Sequence, residues 1–131
     1  MGKLSDSEIR SFVAPYIGKI IRNVRQGHGS TIILEIDDLT IMIEWSWRVE
    51  KANEISFGSW SDDSLFQDLL AELNGRFVKN ISFQARLPEL VVELSDNTWI
   101  CSFSTVEGNP EWALITPSNT LLSRSGNLEF E

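Results

Sequence analysis

His28, the only histidine of the chain, stands between Gly27 and Gly29. An imidazole works as a general base only where a nucleophile or substrate lies against it. Two flanking glycines mark a turn instead, in which the residue tolerates an unusual backbone. Cys101 is the only thiol. A nucleophilic cysteine needs a lowered pKa and access, whereas Cys101 sits in the strand-like run Trp99-Ile-Cys-Ser-Phe103 and reads as core filler. Glu35 and Glu44 share a strand face and have the outline of a glycosidase pair. No apolar pocket is evident that would raise either pKa, and carboxylates on a solvent face are ordinary. The sequence holds no CxxC, HxH or HExxH spacing, no glycine-rich phosphate loop, no GxSxG elbow and no dinucleotide fingerprint. Catalytic residues, metal ligands and cofactors are therefore all expected to be none, and the protein is read as no enzyme.

Composition narrows the alternatives. With 131 residues, 42% apolar and 23% charged, the chain has the size and balance of one globular domain. No apolar run approaches the ~20 residues of a membrane span. The start, Met1-Gly-Lys-Leu-Ser-Asp6, turns polar and acidic at once, so no secretory leader is expected. A single cysteine permits no internal disulfide, and the cytoplasm is the expected address. The net charge of −8 is unevenly placed. Residues 30–75 hold ten acids against Arg48 and Lys51, while the remainder holds nine acids and nine bases. Such a field disfavours nucleic acid and membrane surfaces and favours a basic protein partner.

An internal similarity organises the chain. Gly18-Lys-Ile-Ile-Arg-Asn-Val24 matches Gly75-Arg-Phe-Val-Lys-Asn-Ile81 in chemical type at every position, at an offset of 57. The same offset carries Ile9, Phe12, Val13 and Tyr16 onto Phe66, Leu69, Leu70 and Leu73, each set spaced as one apolar helix stripe. Ser5 with Glu8 forms a capping box, Ser61 is the expected cap of the second helix, and Gly75 its left-handed terminator. Helices are expected over 6–14 and 62–73.

Strands follow each helix. Residues 31–37 and 40–47 flank a turn at Asp38-Leu39, and residues 89–95 and 98–104 flank Asp96-Asn97, at an offset of 58. Pairing across these turns sets Leu34 against Ile43, Ile36 against Ile41 and Ile32 against Trp45. In the second hairpin it sets Val92 against Cys101, Leu94 against Trp99 and Leu90 against Phe103. One face of each hairpin becomes wholly apolar. Shorter strands are expected near 19–25, 54–59, 76–84 and 111–116. The expected fold is one α+β domain over 1–131, an internally duplicated α-β-β-β-β unit with pseudo-repeats at about 5–60 and 61–120. Its antiparallel meandering sheets carry two packed helices, exposed connections lie at 27–30 and 107–110, and the tail 123–131 is loosely held.

Function then falls to the surface. Among five tryptophans, Trp45 and Trp99 point inward in this register, while Trp47 and Trp60 end strands inside the acidic third. Glu35, Asp37, Asp38, Glu44, Glu50, Asp62 and Asp63, with Trp47 and Trp60, form the expected partner-binding set. The basic residues Arg22, Arg25, Lys79 and Arg86 are too dispersed for a nucleic-acid stripe.

The stretch Leu90-Val-Val-Glu-Leu-Ser-Asp-Asn-Thr-Trp-Ile100, with Glu111-Trp-Ala-Leu114, resembles small bacterial immunity proteins of contact-dependent-inhibition and polymorphic-toxin systems. The resemblance lies in size, acidity and strand pattern. It implies a stoichiometric inhibitor that binds a cognate toxin domain, often a basic nuclease, and it carries over no individual residue. The alternative is a self-associating structural or assembly module, joined by sheet edges or by Ile33, Met42 and Ile100. The chain is then a homodimer, and otherwise a monomer.

Overall fold

The computed structural model describes residues 4–104 and 110–131, apart from the side chain of Asp63. The expected loop at 107–110 lies outside the described residues except for Pro110.

Helix α1 spans Asp6–Val13 and opens on the anticipated capping box, with Ser5 Oγ accepting from Glu8 N at 3.1 Å and Glu8 Oε1 from Ser5 N at 3.0 Å. A 3-10 turn at Ala14–Tyr16 follows, where Pro15 fits the first turn without losing a hydrogen bond. Helix α2 spans Asp63–Ala71, and its cap is Asp62 rather than Ser61: Asp62 Oδ1 accepts from Ser64 N at 3.0 Å. Ser61 Oγ serves the preceding strand instead, accepting from Gly58 N at 2.9 Å. Phe66 and Leu70 form the buried stripe of α2, and buried Leu73 follows just past its end.

The described strands are β1 Asn23–Gln26, β2 Ile32–Ile36, β3 Leu39–Ile43, β4 Trp47–Lys51, β5 Glu54–Gly58, β6 Val78–Gln84, β7 Glu89–Leu94, β8 Thr98–Ser102, β9 Trp112–Ile115, β10 Thr120–Arg124 and β11 Asn127–Phe130. They form two antiparallel sheets, one of six strands ordered β1-β2-β3-β9-β10-β11 and one of five ordered β5-β4-β8-β7-β6. The expected strand over 40–47 breaks at Glu44–Ser46, where the chain crosses from the first sheet to the second. Each sheet therefore takes three consecutive strands from the segment after one helix and its remaining strands from the segment after the other. The joints correspond as well: Ile43 pairs with Trp112 where β3 meets β9, and Ser102 with Trp47 where β8 meets β4.

A further joint ties the sheets together just before β1 and β6. Ile20 and Phe77 form an antiparallel bridge. Around it Gly18 N donates to Val78 O at 2.7 Å and Gly75 N to Ile21 O at 2.9 Å, while Ile21 N donates to Arg76 O at 2.9 Å and Val78 N to Lys19 O at 2.8 Å. Moving each partner by 57 residues, forward in one segment and back in the other, converts the first bond of each pair into the second.

Three expectations about side chains are corrected. In the first hairpin the turn is Asp37-Asp38, and Ile36 pairs with Leu39, Leu34 with Ile41 and Ile32 with Ile43. Leu39 resists the positive φ that Asp37 takes at 52°, so the turn moves back by one position. The register moves by two residues, which keeps the apolar faces together but deprives Trp45 of its partner, and Trp45 is 50% exposed. The second hairpin closes on three residues, Ser95-Asp96-Asn97, with Asp96 and Asn97 both at positive φ. Leu94 thus pairs with Thr98 and Val92 with Ile100. This one-residue slip turns β8 over, sending Thr98, Ile100 and Ser102 inward and Trp99, Cys101 and Phe103 outward. Finally, the tail is a hairpin rather than a loose end. β10 and β11 turn at Ser125-Gly126, both at positive φ, and Phe130 packs on Phe12 with ring centroids 5.3 Å apart.

One hydrophobic core holds residues of both sheets and both helices. At its centre Trp47, Phe57 and Phe66 meet edge to face at centroid distances of 5.6–6.3 Å, and Phe83 stacks on Trp112 at 5.2 Å.

Candidate functional site

The expected contact residues separate into two groups. Glu35, Asp37 and Asp38 surround the β2–β3 turn, where the 3-10 turn, the segment after it and β1 supply their partners. Arg25 Nη1 and Arg22 Nη1 both pair with Glu35, the latter at 3.2 Å. The hydrogen bond from Arg25 holds the Glu35 carboxyl below its ordinary pKa. Lys19 Nζ lies 3.8 Å from Asp37, and Tyr16 donates its hydroxyl to Asp38 Oδ1 at 2.7 Å. Burial first, and then that bond, push the Tyr16 phenol up to about 12. These acids are largely satisfied from within.

Glu44 and Glu50 are likewise engaged. Glu44 lies in the crossing segment and accepts from Thr31 Oγ1 at 3.0 Å. Glu50, on the outer face of the five-stranded sheet, binds Arg48 Nε at 2.7 Å, and the Arg48 guanidinium rests over the Phe103 ring at 5.6 Å. Trp47 is no surface anchor: it is fully buried and donates its indole N–H to Ser30 O at 2.6 Å. Strand β4 begins at Trp47 rather than ending there, which places the ring under the sheet joint.

Trp60 and Asp62 remain, at the corner where β5 leads into α2; the Asp63 side chain lies outside the described residues. Trp60 is 81% exposed, the highest value among the exposed large apolar side chains. Asp62 is occupied as the cap of α2, and the bond from Ser64 N holds its pKa low. Beyond it, exposed Leu65, Asp68 and Glu72 follow one another at i, i+3 and i+7 along the outer face of α2. Between positions 52 and 75 the sequence has five acids and no lysine or arginine. Among the described residues, Glu54, Asp68 and Glu72 make no ion pair with one another's neighbours or with distant bases. Sequence reasoning missed Leu65 because it lies off the buried stripe. The run of 24 positions without a base was the available signal.

The remaining chemistry-bearing groups lie apart from this corner. Cys101 is on the outer sheet face, and burial raises its thiol to about 11, against nucleophilic use at neutral pH. Glu111 is buried, with Oε1 accepting from Gly126 N at 3.4 Å and Oε2 without a partner among the described residues. A groove of about 690 Å³ opens between α1, the β6–β7 turn and β11, bounded by Leu4, Asp6, Ile9, Arg86, Pro88 and Phe130, and none of the expected contact residues lines it. No described helix is long and apolar enough to cross a membrane. No protein-family model, curated protein or solved structure matches the chain.

Proposed function

We propose that this is a non-catalytic binding protein whose contact surface is the acidic corner between β5 and α2, and whose partner is a basic protein. In its concrete form it is an immunity protein that binds and neutralises a cognate toxin domain in the cytoplasm. One observation carries the reading: the most exposed tryptophan and the exposed Leu65 lie within one stretch holding five acids and no base. An exposed indole is an efficient anchor when a partner desolvates it, and the surrounding carboxylates steer cationic surfaces toward it. The acids of the β2–β3 turn, already paired, contribute potential rather than direct contacts.

The fold is read here as internally duplicated. Supporting this are the matched segments around Ile20 and Phe77, the interchangeable hydrogen bonds at their bridge, and the ordering that both sheets share.

Capture from the native host tests the function. The full chain at low salt is expected to retain one basic protein and to inhibit it, and a Trp60→Ala/Asp68→Lys variant is expected to release it. An acidic partner, or one that both forms hold equally, overturns the reading.

A further inference from the structure

We infer that a second surface, centred on Ile20 and Phe77, joins two copies of this chain. The pair sits directly opposite across its bridge, with both side chains turned outward, Ile20 58% and Phe77 44% exposed, while the next residues, Ile21 and Val78, are buried. Ile17, three residues before Ile20, is exposed as well. A bridge in the middle of the fold is an unusual place to leave two large apolar side chains in water, since strand residues there would ordinarily be polar on the solvent side.

The rim identifies the occupant. Lys19 pairs with Asp37 and Arg76 with Asp96; Arg22 pairs with Glu35 and Lys79 with Glu93. The four bases correspond at the offset of 57 and Glu35 with Glu93 at 58, while Asp37 and Asp96 are each a positive-φ residue of the hairpin turn, so similar ion pairs stand on either side of the bridge. With Arg25, which shares Glu35, and Asp38 beside Asp37, five bases and five acids leave the rim with no net charge. The chain as a whole carries −8, and two copies repel one another wherever they meet through the acidic third. At this spot the repulsion is absent, because each copy offers both cations and carboxylates to the other. An apolar centre with a rim of both charge signs can be complementary to itself about a twofold axis, where cations of one copy meet carboxylates of the other. A basic partner gains nothing from a neutral rim and goes instead to the Trp60 corner.

The test is the molar mass of the full chain in solution across a concentration series, by light scattering and sedimentation. Wild type is expected to double its 14.9 kDa mass as concentration rises. Ile20→Thr/Phe77→Thr keeps residues that favour strands and is expected to weaken the dimer at least tenfold, with thermal unfolding near that of wild type. Trp60→Ala is expected to dimerise as wild type does, which separates this surface from the partner-binding corner. A wild type that stays monomeric up to about 1 mM, the weak end of specific association, overturns the inference. So does a dimer that the double threonine variant retains unchanged.

Discussion

Trp47 and Trp112 occupy corresponding places in the two sheets. Trp112 is the first residue of β9, which joins β3, and Trp47 is the first residue of β4, which joins β8; both rings are fully buried. Each donates its indole N–H to a carbonyl ahead of a strand of the opposite sheet, Trp47 to Ser30 O before β2 at 2.6 Å and Trp112 to Pro88 O before β7 at 3.3 Å. Their sequence surroundings, Ser46-Trp-Arg and Glu111-Trp-Ala, share little beyond the ring. The shared role comes from the joint, which needs one large side chain to fill the space between sheets and one donor to satisfy a carbonyl there.

Replacing either ring by phenylalanine removes that donor and part of the filled volume. Trp47→Phe and Trp112→Phe are each expected to lower stability by roughly 1–3 kcal/mol, read from urea unfolding. A loss confined to one of the two would break the correspondence.

At the acidic corner, function and stability should separate. Trp60→Ala is expected to change unfolding free energy by no more than about 0.5 kcal/mol, as surface changes do, while weakening partner binding tenfold or more. Asp68→Lys/Glu72→Lys should slow association and flatten its salt dependence, leaving dissociation less altered. Surface plasmon resonance at two ionic strengths checks both.

Tyr16 is the only tyrosine, so its phenol can be titrated directly by ultraviolet absorbance. Its folded pKa of about 12 lies above the ordinary 10.0. The raised value means that the folded state holds the phenolic proton more tightly than the unfolded chain does. The stabilisation is complete below pH 10 and is lost as pH rises toward 12. Wild type is expected to lose stability across that window, and Tyr16→Phe to show little decline attributable to this site. Identical alkaline unfolding curves would refute the assignment.

Cys101 offers a probe of the register. On the outer face, with its thiol raised to about 11, it should react slowly with a thiol reagent at neutral pH in the native state, with a rate climbing about tenfold per pH unit below that value. Labelling seen only on global unfolding would instead place the side chain in the core.

The helices and the existence of both hairpins were legible because apolar spacing and capping act within a few residues. The α1 box at Ser5 and Glu8 is such a local fact. The turning-over of β8 was not legible, since it rests on whether Asp96-Asn97 closes the hairpin alone or with Ser95, a choice settled by packing across the sheet. Which tryptophan goes inside was hidden for a related reason. Trp45 and Trp47 have the same spacing from their neighbours, and only the crossing at Glu44–Ser46 decides that Trp47 enters the core and Trp45 faces water. The partner surface was half legible. Trp60 and Asp62 stand where the charge distribution pointed, but the pairing of Glu35 and Asp37 depends on bases brought from β1 and the segment before it.

Because β3 finds its second neighbour in β9 and β4 finds its own in β8, a growing chain leaving the ribosome cannot finish either sheet with its first half. Strands β3 and β4 stay open on one side until the residues that close them have been synthesised. Completion of both sheets is thereby deferred until β8 and β9 have been made, and a chain that stalls before them leaves two unpaired strand edges, through which the corresponding strands of another molecule can pair with it.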